Sequence, residues 1–449
     1  MFVRLTCIRG TVILEGDVPT PYGQWDPRIK AYRAPGYCYR DIVAYLKRSR
    51  IPFEDRVLNP PPAPAIKGSV ELYPYQEEAF KRWVENGCRG VVCIATAGGK
   101  TFIGLKAIER LGQSTLVLVP TLVLVDQWVE RIKDKLGVEA GVLVGGRNEI
   151  GWITVSTYDS ASINAEELSD KFALLIADET HHLFAPGYSQ AAEMLVAPYR
   201  LGLTSTLHRA DMRHLDAPRL IGGVVYEASH EELVGEYVAP YVHRKVFVDL
   251  ITQEKAEYEK LWSVYTGYLK KANISMHGEE GFRKLIMRSV FDPEAREALL
   301  ARNKALKIAA NSEAKVQFLA EKLKESCEKT IIFALHNSLV YSVSKRFLIP
   351  AITCQTLDKE RHLILARFRS DEYRAIVTSQ VLDEGFDVSD ASMGIVLGGS
   401  GSYRQYVQRL GRLLRKDEGK VAVLYEVVSR ETKDADFSRR RSKKPEEAL

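Results

Sequence analysis

The chain has 449 residues, of which 46% are hydrophobic and 27% are charged, and its formal net charge is +5. At roughly 150 residues per domain, this length predicts about three folded units. The composition is that of a globular protein, and no apolar run reaches the ~20 residues that a membrane-spanning helix needs. The first residues alternate apolar and polar side chains instead of forming a signal peptide, so we expect an N-terminal strand and a cytoplasmic location.

The six cysteines are scattered and include no Cys-x-x-Cys pair. This spacing argues against a zinc ribbon or an iron–sulfur cluster, and it favours buried thiols. The moderate positive charge permits a polyanionic partner without requiring one.

In chain order, residues 1–66 form a first module that ends in the stiff, proline-rich linker Asn59–Ile66. Residues 67–245 then contain continuous apolar runs, as expected for strands that are covered on both faces of a parallel sheet. These runs are RGVVCIA, STLVLVP, GWITVST, FALLIAD and YRLGLTS. The segment therefore predicts an α/β lobe with a parallel sheet.

The sequence pattern changes at residues 246–310, which are rich in charged residues and predict helices. Residues 311–430 again predict alternating strands and helices. The strand candidates of this second α/β lobe are KTIIFAL, AITCQTL, RAIVTSQ, MGIVLGG and KVAVLYEVV. Residues 431–449 show no apolar period, and we predict a disordered tail there.

The stretch VVCIATAGGKTFIG reads as a strand, a loop of small residues and a helix. Its loop, Thr96 to Thr101, would let the backbone amides of Ala97, Gly98 and Gly99 approach phosphate oxygens. Lys100 would reach the terminal phosphates of ATP, and the hydroxyl of Thr101 would bind Mg²⁺. Ile94 stands where such loops usually have their first glycine, so for this stretch alone an ordinary glycine-rich turn remains an alternative.

The run LLIADETHHL places Asp178 and Glu179 directly after a buried strand, at the edge where α/β proteins bind ligands. Asp178 would hold Mg²⁺ through water, and Glu179 would orient and polarise the attacking water. Two adjacent acids after a strand are common by chance. Their order after the Gly-Lys-Thr turn makes chance a poor explanation.

In the second lobe, QYVQRLGRLLRK spaces Gln408, Arg409, Arg412 and Arg415 along one helix. An arginine supplied there could stabilise charge on the transferring phosphate. A solvated basic helix face is the alternative for this stretch alone.

Together these motifs resemble the superfamily-two helicases over roughly Leu72 to Val428. That resemblance implies two RecA-like lobes, ATP and Mg²⁺ as cofactors, and catalytic roles for Lys100, Asp178, Glu179, Gln408, Arg412 and Arg415. It further implies that Gln76 in LYPYQ reads adenine and that Gly385 and Asp387 in DEGFDV contribute to ATP binding. Thr204 and Thr206 in TST match the family's Thr-x-Thr motif, which the resemblance assigns to DNA binding and unwinding.

The finer resemblance is to the XPB family in its archaeal form. Residues 1–66 are similar to its damage-recognition module, and the helical segment 246–310 occupies the position of its thumb insertion. LVPTLVLVDQW, with Thr121 and Trp128, and ITVSTYDS, with Thr157, match its nucleic-acid-facing segments. In the thumb-like segment the candidate DNA contacts are Lys270, Lys271, Arg283, Lys284 and Arg288, and Phe282 is a candidate for base stacking. A solvated pair of charged helices is the alternative for this cluster.

One departure from the family concerns HRADMRH. The XPB family has an Arg-Glu-Asp loop here that is tied to strand separation. In this chain Arg209 and Asp211 remain, but Ala210 replaces the acid. This substitution puts efficient unwinding in question without affecting ATP hydrolysis.

The resemblance implies an ATP-dependent 3′-to-5′ DNA helicase that acts in nucleotide excision repair or DNA opening, on single-stranded, forked or bubble DNA. In archaea it implies a nuclease partner. Two alternatives stay open: a duplex translocase that unwinds weakly, and a damage-binding protein whose ATPase acts as a switch. RNA also remains open as a substrate.

Overall fold

The structure is a computed structural model, and it describes residues 2–16, 18–95, 98–205, 207, 212–233, 241–276, 278–379, 391–398 and 422–441. The described residues fall into two compact units. The first extends to Leu233, and the second begins at Tyr241.

The first unit opens with a small α+β module. Its elements are β1 (Val3–Ile8), β2 (Thr11–Glu15), β3 (Gln24–Asp26), β4 (Ala31–Pro35), α1 (Tyr39–Arg48) and β5 (Phe53–Arg56). The sheet order is β3-β4-β2-β1-β5, and β1 pairs antiparallel with β2 but parallel with β5. Alternating side chains of β1 and β2, such as Val3, Leu5 and Leu14, are buried against Ile42 and Leu46 of α1. The predicted N-terminal strand is confirmed.

The module packs closely on the rest of this unit. A Cβ atom at Gly36 would lie 2.0 Å from the carbonyl oxygen of Met194, so the two backbones are in direct contact. Val196 is part of the buried core of the module. The linker between β5 and the next helix contains neither helix nor strand.

The remainder of the first unit is an eight-stranded sheet in the order β13-β6-β12-β11-β7-β10-β8-β9. Its pairs are parallel except for β8 with β9. The strands are β6 (Arg89–Ile94), β7 (Thr115–Val119), β8 (Gly141–Val144), β9 (Arg147–Asn148), β10 (Ile153–Thr157), β11 (Leu174–Asp178), β12 (Tyr199–Thr204) and β13 (Val224–Ala228). All five strands predicted for this lobe are present, and their carboxyl ends share one edge.

One helix of this lobe precedes the first strand of the sheet, and the others lie between or after the strands. They are α2 (Pro74–Glu85), α3 (Lys100–Leu111), α4 (Leu122–Leu136), α5 (Tyr158–Ile163), α6 (Ala165–Leu168), α7 (Tyr188–Met194), α8 (Ala217–Leu220) and α9 (His230–Leu233), with 3₁₀ helices at Thr180–His182 and Arg213–Asp216. A further 3₁₀ helix, Gly36–Cys38, belongs to the N-terminal module. Helix α4 shows why the sequence folds this way. Thr121 caps its first turn, Gly137 ends it at φ +66°, and the residues between bury Val125, Trp128 and Ile132 on one face.

The second unit contains a six-stranded sheet in the order β14-β19-β18-β15-β17-β16, and all of its pairs are parallel. Its elements are β14 (Tyr241–Val248), α10 (Thr252–Lys271), α11 (Gly278–Ser289), α12 (Pro293–Ala310), α13 (Glu313–Glu325), β15 (Thr330–Phe333), α14 (Asn337–Phe347), β16 (Ala351–Ile352), α15 (Asp358–Arg369), β17 (Ala375–Thr378), β18 (Met393–Val396), β19 (Ala422–Ser429) and α16 (Lys433–Arg441). Helices α10, α11 and α12 form the predicted charged segment around a small core of their own, which includes Tyr265, Leu285 and Ala298.

Two predicted boundaries are wrong. The first lobe does not extend to residue 245, because β14 pairs along its whole length with β19 of the second sheet, starting at Tyr241 opposite Ala422. The tail is not disordered from residue 431, because α16 begins at Lys433. Its buried positions, such as Asp434 and Ser438, are polar, and for this reason a search for apolar periodicity missed the helix.

Candidate active site

The described part of the loop before α3 contains two positions that only glycine can occupy. Gly99 adopts φ +66°, and a Cβ atom there would lie 2.5 Å from Nε2 of Gln76. At Gly98 a Cβ atom would lie 2.4 Å from Cγ2 of Ile94. Both positions therefore require glycine, because a larger residue would clash with the neighbouring side chains. Thr96 and Ala97 lie outside the described residues.

Lys100 begins α3, and its ammonium group donates hydrogen bonds to the carbonyl oxygens of Ile94 at 3.1 Å and Ala95 at 3.5 Å. Ile94 is the last residue of β6 and is completely buried. It accordingly belongs to the strand, and both its carbonyl oxygen and its side chain contact residues of the loop.

Gln76 is buried on α2, and its side-chain amide contacts the loop. Its Nε2 donates to the carbonyl oxygens of Gly98 at 3.1 Å and Gly99 at 3.3 Å, while its Oε1 accepts from the backbone N–H of Tyr73 at 2.9 Å. The hydroxyl of Tyr75 also donates to Gly98, at 2.8 Å. The amide that was expected to read adenine thus holds the loop, and an adenine contact stays a prediction.

Asp178 ends β11 at the carboxyl edge of the sheet and is almost completely buried. Its Oδ1 accepts from the backbone N–H of Glu179 at 3.0 Å, and its Oδ2 accepts from the indole N–H of Trp128 at 2.9 Å. Burial raises the pKa of Asp178, while the Trp128 hydrogen bond and the charge of Lys100 act to lower it. Lys100 begins α3 and Asp178 ends β11, and both lie at the carboxyl edge of the sheet.

Glu179 follows in the left-handed region at φ +48°, which is uncommon for a residue other than glycine. Its Oε2 lies 3.5 Å from Nδ1 of His181, and the same His181 nitrogen lies 3.3 Å from the hydroxyl of Thr204 at the end of β12. Thr180 links the ends of β11 and β12, because its hydroxyl lies within hydrogen-bond distance of the carbonyl oxygens of Ala177 at 2.7 Å and Leu203 at 3.1 Å. The acid that should orient water therefore lies beside His181 at the carboxyl edge of the sheet.

Helix α4 contributes residues that the sequence did not place correctly. Trp128 was expected to face nucleic acid, but its side chain is completely buried and contacts Asp178 instead. Arg131 was not predicted as a site residue, and its Nη1 donates to the hydroxyl of Thr101 at 2.9 Å. Val125, Trp128 and Ile132 share the buried face of α4, and no local sequence pattern identifies the partner of Trp128.

The candidate DNA contacts at this edge include two helix caps. Thr121 accepts from the backbone N–H of Leu124 at 3.5 Å, and Thr157 accepts from that of Ser160 at 3.2 Å. Each threonine thus begins a helix at the carboxyl edge, whether or not it contacts DNA.

Several predicted site residues lie outside the described part of the chain. They are Thr206, Arg209, Ala210, Asp211, Gly385, Asp387, Gln408, Arg409, Arg412 and Arg415. Their roles stay predictions.

In the thumb-like segment, part of the basic cluster is engaged in ion pairs. Lys271 pairs with Glu294 at 2.7 Å, and Lys284 pairs with Glu280 at 2.7 Å. The guanidinium carbon Cζ of Arg302 lies over the Phe282 ring, 4.6 Å from the centroid of that ring. A base that stacked on Phe282 would have to compete with that arginine.

The N-terminal module bears an arginine cluster beside a cavity of about 860 Å³. Asp26 is buried and accepts hydrogen bonds from Arg28 at 2.9 and 2.7 Å and from Arg33 at 3.1 Å. These guanidinium groups hold the pKa of Asp26 well below its usual range. Trp25 is 46% exposed beside them and makes an edge contact with Tyr32.

Among the described residues, no helix is both long and apolar enough to cross a membrane.

Three family profiles match the chain in succession. The profile described as "Xeroderma pigmentosum group B helicase damage recognition domain" matches residues 5–57. "Type III restriction enzyme, res subunit" matches residues 69–209, and "ERCC3/RAD25/XPB C-terminal helicase" matches residues 289–444.

Curated relatives agree with these profiles. "DNA 3'-5' translocase XPB2" of Sulfurisphaera tokodaii is 43% identical over 98% of this chain and 99% of that protein. "DNA 3'-5' helicase XPB" of Mycobacterium tuberculosis is 28% identical over 83% of this chain, which spans 63% of that longer protein. "General transcription and DNA repair factor IIH helicase/translocase subunit XPB" of Schizosaccharomyces pombe is 26% identical over 87% of this chain and 47% of its own length.

Among solved structures, the Hef helicase domain of Pyrococcus furiosus matches with a TM-score of 0.54 and 18% identity, over 81% of this chain and 97% of the other. This likeness concerns the fold, and it confirms the predicted α/β architecture with RecA-like lobes. Because the Sulfurisphaera relative matches almost end to end at 43% identity, the chain belongs to the XPB family of helicases.

Proposed function

We propose that this chain is an ATP-dependent DNA helicase or translocase that moves in the 3′-to-5′ direction. The observation that carries the proposal is the match along almost the whole chain to a relative whose name is "DNA 3'-5' translocase XPB2". The site at the carboxyl edge of the first large sheet supports it, because lysine, hydroxyl and carboxylate groups are present there in the arrangement that ATP and Mg²⁺ need.

The residues of the loop fit a triphosphate. Gly98 and Gly99 let the loop turn closely against Ile94 and Gln76 immediately before Lys100, where a larger residue would clash with them. The ammonium group of Lys100 donates hydrogen bonds to two carbonyl oxygens. Because a phosphate carries negative charge, it would attract this flexible group more strongly than the carbonyl oxygens do. The start of α3 adds a favourable helix dipole for the anion.

The oxygen groups at the same edge fit Mg²⁺. The hydroxyl of Thr101 and the carboxylate of Asp178 are hard oxygen ligands of the kind that this ion prefers. When bound, Mg²⁺ would neutralise charge that develops on the phosphates. Glu179, held between His181 and the strand end, would accept a proton from the attacking water and orient it.

The second lobe would complete the reaction. We propose that Gln408, Arg412 and Arg415 stabilise the transferring phosphate and that Gly385 and Asp387 assist ATP binding. Binding and release of ATP would then change how firmly the chain holds DNA, and alternation between the two states produces steps along one strand.

Strand separation and translocation are distinct outcomes of this cycle. Ala210 in place of the acid of the Arg-Glu-Asp loop favours translocation with weak unwinding. Displacement of a triplex strand beside unwinding of a forked duplex separates these alternatives, because robust unwinding removes the pure translocase. A third candidate, a damage-binding protein with an ATP switch, is favoured by the exposed Trp25 and by the arginine pair held by Asp26.

We further propose that the chain acts inside the cell, where its DNA is, in nucleotide excision repair or in DNA opening, with a nuclease as its protein partner. The name of the S. pombe relative includes both transcription and DNA repair. The experiment that tests the proposed function is ATPase activity in the presence of single-stranded, forked and bubble DNA and of RNA. Stimulation by DNA is expected, and hydrolysis that is indifferent to all four contradicts the proposal.

A further inference from the structure

Helix α4 contacts both of the residues that would hold Mg²⁺. Trp128 donates from Nε1 to Oδ2 of Asp178 at 2.9 Å, and Arg131, one helical turn later, donates from Nη1 to Oγ1 of Thr101 at 2.9 Å. Thr101 and Asp178 belong to different elements, α3 and β11. A single face of α4 therefore controls two oxygen groups that must act together on one ion.

The contact by Trp128 is rigid. Its side chain is completely buried, and a Cβ atom at Gly104 of α3 would lie 2.6 Å from Cη2 of its ring. Helices α3 and α4 can approach this closely because Gly104 has no side chain. The indole therefore has no room to turn, and it fixes one oxygen of Asp178 while the backbone N–H of Glu179 fixes the other.

Each oxygen of Asp178 thus has one donor and retains a further lone pair. A carboxylate held in this way presents its free lone pairs in one fixed direction, as the supporting hydrogen bonds of metal ligands generally do. Trp128 is in this sense a positioning residue, because it acts on the reacting atoms only through Asp178.

The contact by Arg131 is different in kind, since it places a positive charge on the hydroxyl oxygen that Mg²⁺ would use. The charge of Arg131 also acts on Asp178. A guanidinium group and a divalent cation repel each other strongly at such short range. The position of Arg131 in this structure is consequently one that a bound Mg²⁺ would oppose.

We propose that Arg131 is a placeholder for the metal: it holds the Thr101 hydroxyl while Mg²⁺ is absent and releases it when Mg²⁺ arrives with the nucleotide. Trp128 keeps Asp178 in place throughout. This inference rests on the proposed function, because it requires that Mg²⁺ and ATP bind at this loop. It adds a residue whose departure opens the metal site.

If Arg131 is a placeholder, its removal changes how strongly nucleotide binding depends on Mg²⁺. If Arg131 only links α3 to α4, its removal leaves this dependence unchanged. If Arg131 competes with Mg²⁺, its removal strengthens nucleotide binding in the presence of the metal. Because its charge also attracts phosphates, the same removal weakens nucleotide binding when the metal is chelated. The ratio of the two dissociation constants is therefore the informative quantity.

The test is calorimetric titration of the full chain with ADP and with a non-hydrolysable ATP analogue, once with Mg²⁺ and once with EDTA. For Arg131→Met we expect the ratio of the dissociation constant in EDTA to that in Mg²⁺ to rise at least fivefold over wild type. Arg131→Lys keeps the charge and should stay close to the wild-type ratio. Lys133→Met is the matched control, because Lys133 lies on the same helix but pairs with Glu139 at 2.7 Å.

A ratio for Arg131→Met that is unchanged or lower than wild type overturns the inference, and so does an equal rise for Lys133→Met. If Arg131→Met is poorly folded, Arg131→Gln is measured in its place, with folding checked by circular dichroism. If wild type binds nucleotide with Mg²⁺ but the ratios do not differ, the inference alone fails. If wild type shows no metal-dependent binding at all, the proposed function fails as well.

Trp128→Phe gives a second readout. It keeps most of the ring that packs on Gly104 but removes the N–H donor to Asp178. We expect the Mg²⁺ concentration needed for half-maximal nucleotide binding to rise severalfold, while binding in EDTA is unchanged. An unchanged Mg²⁺ requirement shows that Trp128 only fills space.

Discussion

The ammonium group of Lys315 on α13 donates to Oδ2 of Asp434 on α16 at 2.5 Å, and both side chains are buried in the second unit. Lys315 also donates to the carbonyl oxygen of Leu397 at 2.6 Å, and the same Asp434 oxygen accepts from the backbone N–H of Ser429. These bonds connect the C-terminal helix to the ends of β18 and β19. Stability of this region therefore depends on a polar cluster as well as on its apolar core.

The first prediction concerns this pair. Lys315→Met should destabilise the second unit by about 3 kcal/mol or more, because it leaves a carboxylate buried without its counter-ion. The measurement is urea dependence of hydrogen exchange in peptides that cover α13 and α16. The double variant Lys315→Met/Asp434→Leu should recover most of the loss, since it removes both charges.

The control for this experiment is Lys324→Met, an exposed lysine on the same helix. It should change stability by less than about 0.5 kcal/mol. If Lys315→Met is equally mild, the buried pair contributes little, and α16 is held by its other contacts.

The second prediction separates ATP binding from ATP hydrolysis. Lys100→Ala should weaken ATP binding, because the loop loses its cation, whereas Glu179→Gln should bind ATP normally and lose about 10²–10³ in turnover. Binding is measured by calorimetry and turnover by phosphate release with saturating DNA. Arg110→Ala, at the exposed end of α3, and Glu167→Gln, on α6, are matched controls that should resemble wild type.

If Glu179→Gln hydrolyses ATP at the wild-type rate, a different group orients the water. If Lys100→Ala binds ATP as wild type does, the loop is not the phosphate site and the assignment of the first lobe must be abandoned.

From the sequence we identified those site residues whose role depends on near neighbours in the chain, and we missed contacts between distant residues. The loop from Gly98 to Thr101 was identified from sequence because its chemistry is local: small residues, then lysine and threonine at the start of a helix. Asp178 was identified because it directly follows a buried strand. Both predictions depend on neighbours within a few residues.

The residues that were missed depend on distant contacts. Trp128 is 50 residues from Asp178 and Arg131 is 30 residues from Thr101, so no window along the chain shows that they meet. The boundary at β14 failed for the same reason, because its partner β19 begins 181 residues later. The resemblance placed Trp128 towards nucleic acid, and only the folded chain reveals that its indole contacts Asp178.

The third prediction concerns Gln76, for which sequence resemblance and structure suggest different partners. If its amide mainly holds the loop through Gly98 and Gly99, Gln76→Ala should weaken binding of ATP and GTP alike, by about tenfold for the loss of ~1.4 kcal/mol. Tyr75→Phe removes a single bond to Gly98 and should have a smaller effect of the same kind. Competition between ATP and GTP for binding to each variant measures the relative affinity for the two nucleotides.

A loss confined to ATP, with GTP binding unchanged, would instead assign Gln76 to the adenine base. It would contradict the view that the amide acts through the loop.

The fourth prediction concerns the arginine cluster of the N-terminal module. If it contacts DNA, Arg28→Ala in the full chain should weaken DNA binding and lower the slope of log affinity against log salt by about one. Trp25→Ala should weaken binding to duplexes with an unpaired or damaged base more than binding to intact duplex, because an exposed aromatic ring can stack on such a base.

Fluorescence anisotropy at several salt concentrations measures both effects. Lys47→Ala, an exposed basic residue on α1 of the same module, is the control for general charge. Arg28→Ala is expected to lower the DNA affinity more than Lys47→Ala does. Asp26 fixes the Arg28 guanidinium with two hydrogen bonds, so this group loses less entropy when it binds a phosphate. Equal losses for Arg28→Ala and Lys47→Ala would show that the module attracts DNA only through its overall charge.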